Sequence, residues 1–159
     1  MNDLSHLKGT TVLVTGANGF IGSHLVDSLL SLDCNVHCLV RNSSNLRWLS
    51  SSKIQFHYVD LADPDFKIPN LPSIGFVFHC AGLTKARNRD EYFDINSRVC
   101  TTLYEQCFAY KESIKGIVHL SSLAAAGPGK DGVLVDEATA LNPITFYGQS
   151  KKAGEEIAL

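Results

Sequence analysis

Several shortages in this sequence each exclude a class of protein. No apolar run approaches the about 20 residues a membrane-crossing helix needs, so no membrane association is expected. Lys and Arg number 14 against 16 Asp and Glu, so no basic surplus points to nucleic acid. The five cysteines, at 34, 38, 80, 100 and 107, contain no Cys-x-x-Cys pair, and their odd count suits no disulfide framework. Reduced, buried thiols are expected instead. The six histidines lack metal-ligand spacing, so no metal site is expected. His37, His57, His79 and His119 stand in apolar runs and read as satisfied core or strand-end groups. The first eight residues lack the basic start and apolar centre of a secretory signal, which leads to a cytoplasmic expectation. There is no internal repeat and no low-complexity tract. What is present, 159 residues with 45% hydrophobic, 19% charged and a net charge of −2, is the composition of one globular domain over residues 1–159.

The chain is organised around residues 11–25. A β-branched run, Thr11-Val12-Leu13-Val14-Thr15, ends at Gly16. Gly19 and Gly22 follow at three-residue spacing, and then a helical pattern begins. Such a strand, turn and helix can bring backbone close to a pyrophosphate and aim helix N–H groups at it. Taken alone, the three glycines suit a tight turn with close helix–strand packing equally well. Four further apolar runs, Asn35–Val40, Ile54–Val59, Phe76–Cys80 and Gly116–Leu120, are nearly continuous, as in parallel strands covered on both faces. Between them the spacing predicts helices over Phe20–Leu32 and Tyr92–Tyr110, and a short one over Leu46–Leu49. Pro64, Pro69 and Pro72 mark a loop, as does Gly127–Gly132. Asn142-Pro143 reads as the start of a last helix running through Tyr147 and Lys151. The alternation predicts an α/β fold: a doubly wound parallel sheet of about five strands in the order 3-2-1-4-5, the Rossmann arrangement.

In such a sheet, ligands bind beyond the carboxyl ends of the strands. Those ends carry the glycine turn, Arg41-Asn42-Ser43-Ser44, Asp60-Leu61, Ala81-Gly82 and Ser121-Ser122. Beyond them, Tyr147 and Lys151 stand four apart, on one face of a helix. A phenol titrates near 10 and is a poor acid–base group at neutral pH. An ammonium beside it favours the phenolate, and a nearby serine hydroxyl can hold a carbonyl or alcohol oxygen.

Together these pieces resemble the extended short-chain dehydrogenase/reductase family, the NAD(P)-dependent epimerase/dehydratase group. The flavour is that of the 3β-hydroxysteroid dehydrogenase and dihydroflavonol reductase branch. The matching stretches are Val14–Ser23, Asp60-Leu61, His79–Gly82, Asn96, Ser121-Ser122 and Tyr147–Lys151. The resemblance implies that Gly16, Gly19, Phe20 and Ile21 line a pyrophosphate and that Asn18 and Gly22 also belong to the cofactor site. It places Asp60 and Leu61 beside adenine and Ala81 and Gly82 under a ribose. Lys151 would hold the nicotinamide ribose, Tyr147 would be the acid–base, Ser122 rather than Ser121 the catalytic serine, and Asn96 a supporting helix residue. Two departures matter. The second strand ends without the acidic residue usual for NAD, and Arg41 with Ser43 suits a 2′-phosphate, so NADP is favoured over NAD. Members of the family are also about twice this length, and the helical pattern stops at Leu159 uncapped. The chain is therefore expected to be the N-terminal part of something longer, without the last strands and the substrate domain.

The expected function is transfer of a hydride to or from a hydroxyl- or carbonyl-bearing carbon. The small-molecule substrate would be a nucleotide sugar, a steroid-like alcohol or a related ketone. The alternative is a dinucleotide-binding fragment or regulatory module with no activity of its own. The apolar positions on helices 92–110 and 143–159 would also allow a homodimer.

Overall fold

The computed structural model describes residues 4–129 and 134–159, so the expected loop at Gly127–Gly132 lies partly outside the described residues. The chain divides into two compact units, Met1–Ala81 with Glu105–Leu120 and Gly82–Tyr104 with Ser121–Leu159.

The first unit is built on one parallel sheet. Its strands are β1 (Thr11–Thr15), β2 (Asn35–Val40), β3 (Gln55–Tyr58), β4 (Phe76–His79) and β5 (Gly116–His119), in the order β3-β2-β1-β4-β5. The predicted order is therefore correct, and each predicted strand is found to within a residue at either end. α1 (Phe20–Ser31) makes the first crossover. Side chains alternate between sheet faces, so the register assigns each residue to a face. Val12, Val14, Val36, Cys38 and Val40 pack with Val26 and Leu29 of α1 in the main apolar core. The opposite face carries Leu13, His37, His57, His79 and His119, because Leu13 pairs with His37, Leu39 with His57, Thr15 with His79, and His79 with His119.

Burial on both faces, expected of all five runs, holds for β1 and β2 but not at the margins. β3 is half exposed, and on β5 Ile117 and Val118 are 40% and 50% exposed. A marginal strand has a neighbour on one side only, so its apolar run is not matched by burial.

Three of the histidines of this face, His37, His57 and His79, are bonded as expected. Thr15 Oγ1 and His79 Nδ1 lie 2.7 Å apart, and His37 Nδ1 lies 2.8 Å from His57 Nε2. The expected helix at Leu46–Leu49 is absent: a single turn stands there, closed by the Leu49 N–H on the Leu46 carbonyl. The proline-rich segment is a loop, as predicted, because side chains supply the partners its backbone lacks. Gln106 accepts from Ile68 N–H and donates to the Phe66 carbonyl, both at 2.9 Å, while Tyr110 and Ser113 secure Leu71 and Ile74.

The second unit is helical. α2 (Arg89–Phe93) begins at Asn88, whose side chain accepts from Glu91 N–H. It passes into a π-helical turn, Asp94–Arg98, and then into α3 (Val99–Cys107), whose last three residues belong to the first unit. The predicted helix over Tyr92–Tyr110 is thus three helical segments followed by a 3₁₀ turn at Phe108–Tyr110. A short helix α4 (Leu123–Ala126) and a final helix α5 (Phe146–Ala158) complete the unit.

α5 does not start at Asn142-Pro143. Asn142 N–H is held by the Ala126 carbonyl at 2.9 Å, and the helix is capped three residues later by Thr145, whose Oγ1 accepts from Gly148 N–H at 3.0 Å. Two polar residues compete for the cap, and the tertiary contact at Asn142 leaves Thr145 to take it.

Candidate active site and dinucleotide seat

The glycine turn sits between β1 and α1 in the first unit. Gly16 has a φ of +66°, and a Cβ there would lie 2.5 Å from the Ala81 nitrogen. Two segments far apart in sequence, the ends of β1 and β4, can approach this closely only through a residue without a side chain. Thr15 joins them further, its Oγ1 accepting from Ala81 N–H at 3.2 Å. A Cβ on Gly22 would run into the Gly16 carbonyl, so the first turn of α1 is folded tightly onto the loop.

At the mouth of α1 the N-cap is Gly19. No side chain caps the first turn and no acidic residue stands in it. The N–H groups of that turn have no carbonyl within the helix to meet, and the positive end of the helix dipole lies there. Such a cradle fits an anionic pyrophosphate. Phe20 is 80% exposed beside it, its ring edge-on to His24 at 4.9 Å. Asn18 is half-buried in the turn, and Ile21 is 53% exposed.

β2 and β3 end side by side, with Val59 N–H donating to the Val40 carbonyl at 2.8 Å. Arg41 and Asp60 follow directly on those residues. Arg41 and Ser44 close a turn reciprocally: Arg41 N–H donates to Ser44 Oγ at 3.1 Å and Ser44 N–H to the Arg41 carbonyl at 2.9 Å. Ser44 of the strand-end stretch thus shapes the loop, while Arg41 and Ser43 are exposed. Asp60 accepts from Ala62 N–H at 3.0 Å, fixing an Asx turn, and Leu61 is half-buried beside it.

The second unit holds Gly82, Asn96, Ser122, Tyr147 and Lys151. Lys151 is 4% exposed and Asn96 is 1% exposed. A Cβ on Gly82 would lie 3.3 Å from Asn96 Oδ1 and 3.8 Å from Lys151 Nζ, so the structure brings these three residues together. Tyr147 is half-buried, its ring centre 6.0 Å from that of Tyr92. α4 and α5 pack on each other, with Gly148 against the Ala124 carbonyl. Ser122 is the N-cap of α4, where its Oγ accepts from Ala124 N–H at 3.2 Å and keeps its own proton to donate. Ser121 Oγ is buried with no hydrogen-bond partner among the described residues. Burial pushes the Cys100 thiol up to about 11, and the Lys151 ammonium pulls partly against it.

The described residues thus carry a phosphate-type cradle in one unit and a Tyr–Lys–Ser–Asn set in the other. The sequence matches the NAD dependent epimerase/dehydratase family over residues 12–159. The chain belongs to that family. It is 32% identical to UDP-glucose 4-epimerase 2 of Oryza sativa subsp. japonica, over 92% of this chain and 39% of the rice protein. It is 27% identical to the decarboxylating sterol-4-alpha-carboxylate 3-dehydrogenase of Mus musculus, over 99% of this chain and 42% of the mouse protein. Among solved structures it is similar to MoeE5 in complex with UDP-glucose and NAD, with a TM-score of 0.72 and 32% identity, over 93% of this chain and 48% of that one. The chain spans less than half the length of these relatives.

As an epimerase/dehydratase family member, the chain carries site features that its sequence did not disclose. The Tyr92 ring lies tilted against that of Tyr147, and its hydroxyl donates to the Thr84 carbonyl at 3.4 Å. Ser150 is fully buried and bonded to Asn96 at 3.0 Å. A serine at helical spacing from a tyrosine gives no sign of such a partner. The one available hint was its place on the same helix face as Tyr147 and Lys151.

Proposed function

We propose that this chain is the cofactor-binding and proton-transferring part of an NAD(P)-dependent oxidoreductase or epimerase/dehydratase. Its substrate carbon bears a hydroxyl or carbonyl, in a nucleotide sugar, a steroid-like alcohol or a related ketone. The observation that carries the reading is a lysine buried to 4% exposure, one turn beyond Tyr147 on α5, in a chain whose first unit has an uncapped glycine cradle.

The nicotinamide ring, when bound, supplies or accepts the hydride. The chain's own residues do the rest. The first-turn N–H groups of α1 hold the pyrophosphate. Asp60 and Leu61 flank the adenine, Ala81 and Gly82 pass beneath a ribose, and Lys151 donates to the nicotinamide ribose. Tyr147 gives or takes the proton on the substrate oxygen, and Ser122, whose proton is not used in its cap, donates to that oxygen. The Lys151 ammonium favours the phenolate form whenever Tyr147 gives up its proton.

Arg41 and Ser43 are exposed at the end of β2, where no acidic residue stands, and this supports NADP over NAD. The retained Tyr147 and Lys151 argue against a purely regulatory module. Exposed Ile157 and Phe108 support a homodimer, to be checked by light scattering.

Fluorescence titration with NADPH and NADH tests the reading. Binding of NADPH in the micromolar range, weakened at least tenfold in R41A with NADH affected less than threefold, is the expected result. Absence of binding of either at millimolar concentration would overturn the proposal. In Y147F, turnover of an accepted substrate falls by a factor of about 10² to 10⁴ while dinucleotide binding stays within twofold. Equal loss of both would remove Tyr147 from its role.

A further inference from the structure

Ser150 lies inside the second unit and is unexplained by packing. It is fully buried in the body of α5, where alanine would fill similar space with better helix propensity. Its hydroxyl donates to the Tyr147 carbonyl three residues back, at 2.7 Å. Such back-bonding slightly destabilises a helix and often bends it.

The hydroxyl also has a second partner. Ser150 Oγ accepts from Asn96 Nδ2 at 3.0 Å. The other Asn96 Nδ2 proton goes to the Leu83 carbonyl at 3.0 Å, and Asn96 Oδ1 accepts from Leu83 N–H at 2.7 Å. Asn96 therefore uses both amide protons and its oxygen on two elements at once. It stands in the π-helical turn Asp94–Arg98, which packs on α5. One hydrogen-bonded chain runs from the Leu83 backbone through Asn96 and Ser150 to the Tyr147 carbonyl. Removing the Ser150 hydroxyl leaves a buried amide proton without an acceptor, the expensive kind of loss.

We propose that Ser150 is a positioning residue: its hydroxyl locks α5 to Asn96 and thereby sets how Tyr147 and Lys151 are presented to the Gly82–Leu83 loop. The catalytic consequence rests on the acid–base reading given above. The lock itself does not depend on it.

Amide exchange tests the lock directly. In S150A, exchange at the Leu83 N–H speeds at least tenfold while the β1 amides are unchanged, and S150T, which keeps the hydroxyl, restores protection. Unchanged Leu83 exchange in S150A overturns the proposal, whatever the chain's activity. Should either variant fail to fold, the unsubstituted protein still answers. A slowly exchanging Ser150 hydroxyl proton with a cross-peak to an Asn96 Nδ2 proton supports the lock, and a freely exchanging one overturns it.

With an accepted substrate, S150A lowers kcat at least tenfold with the KM for dinucleotide within twofold, and S150T recovers activity to within threefold. A rise in KM with kcat unchanged overturns the positioning role. In a cycle with N96D, which keeps the oxygen and loses the amide donor, the two substitutions together cost no more than the larger alone. Additive losses would show that Asn96 and Ser150 act separately. Failure of the wild-type chain to bind dinucleotide would sink the functional reading and leave the exchange result standing.

Discussion

Gly16 concentrates two constraints on one residue: a positive φ and a backbone approach from Ala81. The left-handed conformation alone costs a residue with a side chain about 1–2 kcal/mol, and the crowded Cβ adds to it. Gly16→Ala is therefore expected to lower stability by at least that amount in urea denaturation and to weaken NADH binding more than tenfold. Unchanged affinity would mean that the turn is not the pyrophosphate seat. The residue's importance was readable in the sequence, where it ends a β-branched run. Its reason was not, since Ala81 is 65 positions away and nothing local announces the contact. The neighbouring serines show the same division. The family resemblance singles out Ser122, but its work as the cap of α4 is visible only with the helix in place.

Among the elements, the β2–β3 pair carries a pH dependence. His37 and His57 share a 2.8 Å contact with their rings stacked 5.1 Å apart. Burial, and for His37 also the neighbouring His57, lowers the tendency of both to take up a proton in the fold. The unfolded chain then binds more protons than the folded one. The contribution of the pair is fully present above the ordinary histidine value near 6.5 and is lost as pH falls below it. Denaturation midpoints should decline from pH 7.5 to 5.5, and H57Q should flatten that decline. A decline equally steep in H57Q would assign it to other groups. The nearly continuous apolar runs located both strands. It did not give their register, and the register is what puts His37 and His57 on one face. The helices divide likewise. α1 followed its apolar period, whereas the start of α5 and the π turn depended on partners beyond their own sequence windows.

For the whole molecule, the family reading implies that dinucleotide binding and stability are linked. A ligand that binds only the folded chain adds about 2.7 kcal/mol at a hundred times its dissociation constant. For a chain of 159 residues this raises the thermal midpoint by roughly 5–10 °C. NADPH should do so more than NADH at equal concentration, and adenosine alone should do little. Equal midpoints with and without saturating dinucleotide would contradict the cofactor assignment.

The sequence by itself determined the α/β class, the strand order, the glycine turn and the Tyr147–Lys151 pair. The class, the turn and the pair are written in residues close together along the chain, as a hydrophobic period or a short fixed spacing, and the order follows from the alternation of strands and helices. Tertiary structure alone decided what joins Asn96 to Ser150 across 54 residues, what crowds Gly16, and which polar residue caps α5. Hydrogen bonds and steric contacts between distant segments exist only once burial has brought those segments together, and buried polar groups then take the partners that are within reach.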